Sequence, residues 1–285
     1  MTIPPNGMAS SRHQRDDCFA FEGAIHMGHT RLGDLPRTRK WQEVVGLIAI
    51  GAGADQIANA VIRAAEKSLM QAANDKGLVE SFWCLTQLTA AAREPNFAIA
   101  LRSRGIDVPD NPSLPAITAA VSDAIDRSMR NNDGRTDLGE IAQSAVSETI
   151  NQIVTERTSS LFGSTSEDVQ RAFRELGTVA RFGDLGRRFF AQFMGKVLAS
   201  FVSRESANHV GEGQRFATLA SKASFDDALR THSRQASVIV ERFAGDWLSK
   251  KTWQNGSGGI SRDEAAGFTH VAFTKIVKEL KEGAK

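Results

Sequence analysis

Cysteine is nearly absent from this sequence, with only Cys18 and Cys84 among 285 residues. That excludes a disulfide framework and fits a reducing, cytoplasmic setting. Charge of one sign is missing too: the net charge is +2, so no global field draws the chain to nucleic acid or an acidic membrane, and any such partner needs a local patch. Long apolar runs are lacking. The densest block, Phe189 to Val202, carries Lys196 inside and falls short of the roughly 20 apolar residues that cross a bilayer, so no membrane partner is expected. There is no alternating strand pattern flanked by hairpin turns, and no repeat with a fixed period of about 20 to 50 residues, which excludes a β-rich fold and a solenoid. The first residues have neither a basic nor an apolar leader segment, so no secretory signal is expected. Tyrosine is wholly absent while phenylalanine numbers 16; that imbalance has no evident physical cause.

What is present is helical periodicity. The block at Phe189 consists of apolar doublets at 189/190, 193/194, 197/198 and 201/202. At about 100° per residue, each doublet is rotated about 40° from the one before, so the apolar arc covers roughly 220° of a helix. An arc so wide needs neighbours on at least two sides. Arg188, Gln192, Lys196 and Ser200 occupy the remaining arc, again four apart, and Ala191, Gly195 and Ala199 form a row of small residues where another helix backbone fits closely. This predicts a buried central helix over about 186–203.

The rest of the chain reads as further helices around it. Residues 1–40 form an irregular N-terminal arm and loop, poor in large apolar groups and punctuated by Gly23, Gly28 and Gly33. Residues 41–285 form an all-α helical domain, a multi-helix globular bundle. Trp41, Val44, Val45 and Ile48 share a helical face, and Gly51-Ala52-Gly53 breaks the pattern before a helix that Asp55 caps. Asn74 to Gly77 and Pro95 separate the next helices, and Gly105 stops a short one. Pro109, Pro112 and Pro115 mark 106–115 as a candidate subdomain boundary. Asp137 with Glu140, and Ser261 with Glu264, have capping-box spacing. Thr178 to Gly186 reads as a turn, Ser224 as the cap of a long helix through Trp247, and Asn255 to Gly259 as a flexible loop.

Four motifs bear on function. Val44 to Gln56 imitates a dinucleotide fold, an apolar run entering Gly51-Ala52-Gly53. Gln56 stands where the third glycine belongs, and helical periodicity continues to Met70, so a helix–turn–helix kink is the better reading. His26 and His29 are weak candidates for a metal site: His13, His209, His232 and His270 are scattered with no partnered spacing. No metal or cofactor is therefore expected.

The third and fourth motifs resemble each other. Arg31-Leu32-Gly33-Asp34-Leu35-Pro36-Arg37-Thr38-Arg39-Lys40 and Arg181-Phe182-Gly183-Asp184-Leu185-Gly186-Arg187-Arg188 each run arginine, apolar, glycine, aspartate, leucine, a small residue or proline, then arginine, and each opens into an apolar helix. A shared helix start, with Asp34 or Asp184 as cap, explains everything but the cations, which sit at the helix end that disfavours positive charge. Arginines beside free helix N–H groups make an anion- or partner-binding site, so Arg31, Arg37, Arg39, Lys40, Arg181, Arg187 and Arg188 are the candidate site residues.

No Ser/His/Asp arrangement, nucleophile elbow, P-loop or paired-carboxylate spacing stands out, so the sequence leans away from an enzyme without excluding one. The leading expectation is a non-enzymatic cytoplasmic interaction or structural subunit that docks a protein partner, or a second copy of itself, through arginine-bearing loops and a helix face. The alternative is a nucleic-acid or phosphate-binding protein using the loops 31–40 and 181–188. A metal-assisted hydrolase using His26 and His29 comes third.

Overall fold

A computed structural model describes residues 38–132, 134–157, 165–255 and 259–282. They form an all-α bundle of α1 (Arg39–Ala49), α2 (Ala54–Ala72), α3 (Lys76–Ala91), α4 (Phe97–Arg102), α5 (Leu114–Asn131), α6 (Asp137–Arg157), α7 (Ser166–Leu176), α8 (Val179–Ser206), α9 (Leu219–Ala236), α10 (Val238–Asn255) and α11 (Arg262–Glu282). An isolated bridge pairs extended backbone at Val210 and Phe216.

α8 is the central helix, and it is longer than its periodicity predicts. Phe189, Phe190, Phe193, Met194, Val197 and Leu198 are fully buried, and α8 packs against α6, α7, α9 and α10. Its aromatic side meets rings from two further helices: Phe82 of α3 stacks on Phe268 of α11 at 4.7 Å between centroids, with Phe190 at 5.7 Å from Phe82. Such ring pairs add about 0.5–1.5 kcal/mol each beyond area burial.

The segment from Thr178 to Gly186 is not a turn but the first turns of α8. Its glycines serve a different purpose from the one their spacing suggests. A Cβ on Gly183 would lie 3.2 Å from the backbone of Glu241, one on Gly186 would lie 3.1 Å from Val240 Cγ1, and one on Gly245 would lie 3.1 Å from the Val179 carbonyl. These residues let α8 and α10 cross almost backbone to backbone. Gly195, in the small-residue row, lies against Arg230 and Ser233 of α9, where a Cβ would make ordinary contacts.

Several helix starts fall elsewhere than expected, and at α1, α6 and α9 a hydroxyl nearer the true start supplies the cap. Thr38, not Asp34, caps α1, accepting from Trp41 N at 3.3 Å. Thr178, not Asp184, precedes α8. Gly53 is the N-cap of α2, with Asp55 inside its first turn. Thr136 Oγ1 accepts from Gly139 N at 2.8 Å at the start of α6, which leaves Asp137 as the first helical residue. Thr218 and Ser221 form the box that opens α9, so Ser224 lies within that helix, and a joint at Ser237 divides the expected long helix into α9 and α10. The Ser261–Glu264 box stands as read, with Glu264 N donating to Ser261 Oγ at 3.2 Å and Ser261 N to Glu264 Oε2 at 3.0 Å.

The kink reading of Gly51-Ala52-Gly53 holds: helices flank it on both sides, and Gly51 has φ +81, a conformation that favours glycine. Residues 103–113 between α4 and α5 carry no helix, yet Ile106 and Val108 are buried, and α3 packs against α5, α6 and α11. Helices on both sides of the proline-rich segment therefore share one apolar core, which runs from Trp41 to Leu280.

Candidate functional site

The polar arc of α8 faces a matching arc on α6. Lys196 Nζ donates to Glu148 Oε1 at 2.6 Å, Gln192 Nε2 to Gln152 Oε1 at 3.4 Å, and Arg188 Nη1 to Glu156 Oε2 at 2.6 Å. Each step along α8 is matched by a four-residue step the other way on α6, as antiparallel helices with aligned polar rows require. At the Arg188 end the ladder widens into a groove of about 190 Å³, bordered by Gln152, Glu156, Asp184, Arg187, Arg188 and Arg234.

Charges are distributed unevenly along this groove. Arg188 Nε donates to Asp184 Oδ1 at 2.8 Å, one turn earlier on α8. Asp184 also lies 3.5 Å from Arg157 Nη2, and Arg157 Nε lies 3.7 Å from Glu175. Burial works against the charge on Arg188, but the hydrogen bonds and charges of Asp184 and Glu156 outweigh it and hold its pKa above the ordinary value. Arg187 pairs with Glu241 of α10 at 3.1 Å. Arg234, from α9, is exposed and has no ion-pair partner among the described residues.

Of the residues singled out from sequence, Arg187 and Arg188 line the groove and are held in ion pairs; they stand two turns or more inside α8, not at a helix N-terminus, so the conflict with the helix dipole does not arise there. Arg181 is exposed within the first turn of α8, seven residues before Arg188 and therefore on nearly the same face. The description of 181–188 as a loop is thus corrected to helix. Arg39 and Lys40 are the first two residues of α1, where no acidic residue offsets them; Lys40 Nζ donates to Arg63 O at 3.4 Å, and neither residue lines the groove. Arg31, Arg37, His26 and His29 lie outside the described residues.

Arg234, Glu156, Gln152 and Glu241 also belong to the candidate site, though neither arginine motif points to them. The row Glu148, Gln152, Glu156 was visible at four-residue spacing, the natural complement of Arg188, Gln192 and Lys196. Nothing in the sequence shows that Arg234 and Glu241 reach the same place, because that depends on how α9 and α10 cross α8.

Other charged groups are used to build the fold. Arg215 donates to the carbonyls of Ile48 at 2.8 Å, Leu47 at 3.2 Å and Ala52 at 2.5 Å, and its guanidinium lies 5.0 Å from the Phe216 ring centroid and 4.7 Å from that of Phe225. It caps the C-terminal carbonyls of α1, and burial pushes its pKa down. Cys84 is buried and its thiol is pushed well up by desolvation, the mark of an inert core residue rather than a nucleophile.

Among the described residues no group of three or more His, Cys, Asp or Glu side chains is placed to hold a metal ion, and no helix is long and apolar enough to cross a membrane. The geometry thus defines an all-α bundle with a charged, open groove over its central helix. Comparisons with protein-family models, curated proteins and solved structures found no match to this chain.

Proposed function

We propose that this is a non-enzymatic, cytoplasmic interaction subunit that docks the acidic segment of a protein partner in the groove between α6, α8 and α9. One observation carries the reading: of the three arginines along the groove, Arg187 is paired with Glu241 and Arg188 with Glu156 and Asp184, while Arg234 has no carboxylate of its own among the described residues. A guanidinium left this way, beside others fixed by ion pairs, suits a carboxylate arriving on a partner, since a bidentate Arg–carboxylate pair adds both energy and orientation. The groove is shallow and polar, which fits a contact surface better than a pocket that encloses a substrate.

Nucleic acid is the alternative partner. A phosphate backbone presents a run of charges, whereas Arg187 and Arg188 are already paired and Arg234 alone has no carboxylate, which makes a single acidic side chain on a protein segment the better fit. The test is site-specific photo-crosslinking from position 234 in the native cell, followed by identification of the crosslinked species. A protein crosslinked through an acidic segment supports the proposal; recovered nucleic acid favours the alternative. Sedimentation of the purified chain separates a distinct partner from a second copy of the same chain.

A further inference from the structure

A second cavity, of about 250 Å³, opens elsewhere on the bundle, where the end of α3, the coil after α4, the α7–α8 junction and α10 converge. Its wall carries Arg93, Arg104 and Lys251 against a single carboxylate, Glu94. The manner in which these cations are held sets this site apart from the groove. Arg93 donates through Nη2 to the carbonyl of Gly177, and Arg104 donates through Nη1 to the carbonyl of Ala100 at 2.7 Å. Neutral oxygens therefore fix both guanidiniums without cancelling their charge. Glu94 is half-exposed and its oxygen lies 4.0 Å from Arg104, at the limit of an ion pair; Lys251 is paired with Glu264 at 3.1 Å.

Gly177 supplies an independent observation. Its φ is −73, which any residue adopts, so the backbone does not call for glycine there. Space does: a Cβ would come within 3.2 Å of both Nε and Nη2 of Arg93 and within 3.3 Å of Thr89 Cβ. The glycine makes room for the guanidinium. Thr89, which lines the cavity, donates through Oγ1 to Thr86 O at 2.7 Å, so toward a ligand its hydroxyl oxygen is left to act as an acceptor. Leu248 and Ile260 supply an apolar side.

We infer that this cavity is a binding site for a small organic phosphate monoester, its oxyanion held between Arg93 and Arg104, its remaining P–OH donating a hydrogen bond to Thr89 Oγ1, and its organic body set against Leu248 and Ile260. Two oriented guanidiniums, with Glu94 at 4.0 Å from Arg104 as the one carboxylate in the cavity wall, match an oxyanion, and an acceptor beside them matches a monoester that still carries one P–OH. The site shares no residue with the groove over α8, and the two proposals stand or fall separately.

Calorimetric titration of the full chain with phenyl phosphate at low salt, near pH 6 where the monoanion is populated, tests it. Saturable binding is expected, tighter than that of inorganic phosphate, and at least tenfold weaker in Arg93→Gln combined with Arg104→Gln. Gly177→Ala keeps every charge but crowds the guanidinium, so it should weaken binding several-fold, whereas Arg130→Gln, at an exposed position of α5, should change nothing. Circular dichroism confirms that each variant is folded. The absence of saturable binding to wild type, or equal affinity in the double variant, overturns the site; equal affinity for inorganic and phenyl phosphate overturns the organic ligand.

Discussion

Glu80 and Arg262 stand 182 positions apart in the chain and meet in a two-point pair, Arg262 Nε to Glu80 Oε2 at 2.7 Å and Nη2 to Oε1 at 2.8 Å. The guanidinium lies 3.6 Å from the Trp83 ring centroid, and Trp83 Nε1 and Gln87 Nε2 both donate to the Ile260 carbonyl at 3.0 Å. One end of α11 is thereby locked to α3. The Glu80 side chain is 4% exposed and that of Arg262 57%, so removing the arginine leaves a nearly buried carboxylate without its ion pair, though water can enter where the exposed guanidinium stood. Arg262→Ala should cost about 2–3 kcal/mol in urea unfolding, below the roughly 3–5 kcal/mol typical of fully buried pairs. A loss under about 0.5 kcal/mol, the scale of a surface pair, would show that the lock is ornamental.

The central helix admits a cleaner test of packing. Phe193 is fully buried, with ring centroids 6.2 Å from Phe189 and 6.0 Å from Phe273. Phe193→Ala should destabilise the bundle by about 3–5 kcal/mol through lost burial and the cavity left behind. Chemical denaturation with an unchanged slope is the measurement.

Two helical glycines should respond in opposite directions to the same substitution. Gly183 abuts the backbone of Glu241, whereas Gly267 in α11 has nothing within 4 Å of where its Cβ would be. Gly267→Ala should stabilise by about 0.5–1 kcal/mol, the intrinsic helix preference for alanine. Gly183→Ala carries the same preference but pushes α8 from α10, and its net effect should be destabilising by about 1 kcal/mol. Thermal melts of the two variants decide whether the α8–α10 crossing is as close as described.

His232, on α9, is buried, and its Nε2 has no hydrogen-bond partner. Burial lowers its pKa, partly opposed by the charge of Asp55. The unfolded chain therefore takes up a proton near the ordinary value of about 6.5, while the folded chain resists it until lower pH. Stability from this residue is whole above that value and is lost as pH falls through it toward the depressed folded value. Unfolding free energies of wild type should drop between pH 7.5 and 5.5, and His232→Leu should drop by less. Equal losses would mean that other groups set the pH dependence.

Much of the fold was legible because it rests on local period and local chemistry. The doublets of Phe189 to Val202, the Ser261–Glu264 box and the break at Gly51 each declare themselves within a few residues. The start of α8 did not, because Gly183 and Gly186 look the same whether they permit a turn or the approach of another helix; only the position of α10 distinguishes the two. The candidate site was half legible for the same reason. Arg188, Gln192 and Lys196 announce a polar face, but what neutralises them, and which arginine stays unpaired, depends on residues 32 to 48 positions away on α6 and on α9 and α10.

The docking proposal is tested most directly by the variant Arg187→Glu, Arg188→Gln, Arg234→Glu, compared with wild type by quantitative mass spectrometry of what each captures at equal expression in the native cell. The expected result is one partner, crosslinked to position 234 through an acidic segment in the wild type, whose recovery falls at least tenfold in the folded variant. The same partner recovered in equal amount, or crosslinks confined to other faces of the bundle, would contradict it.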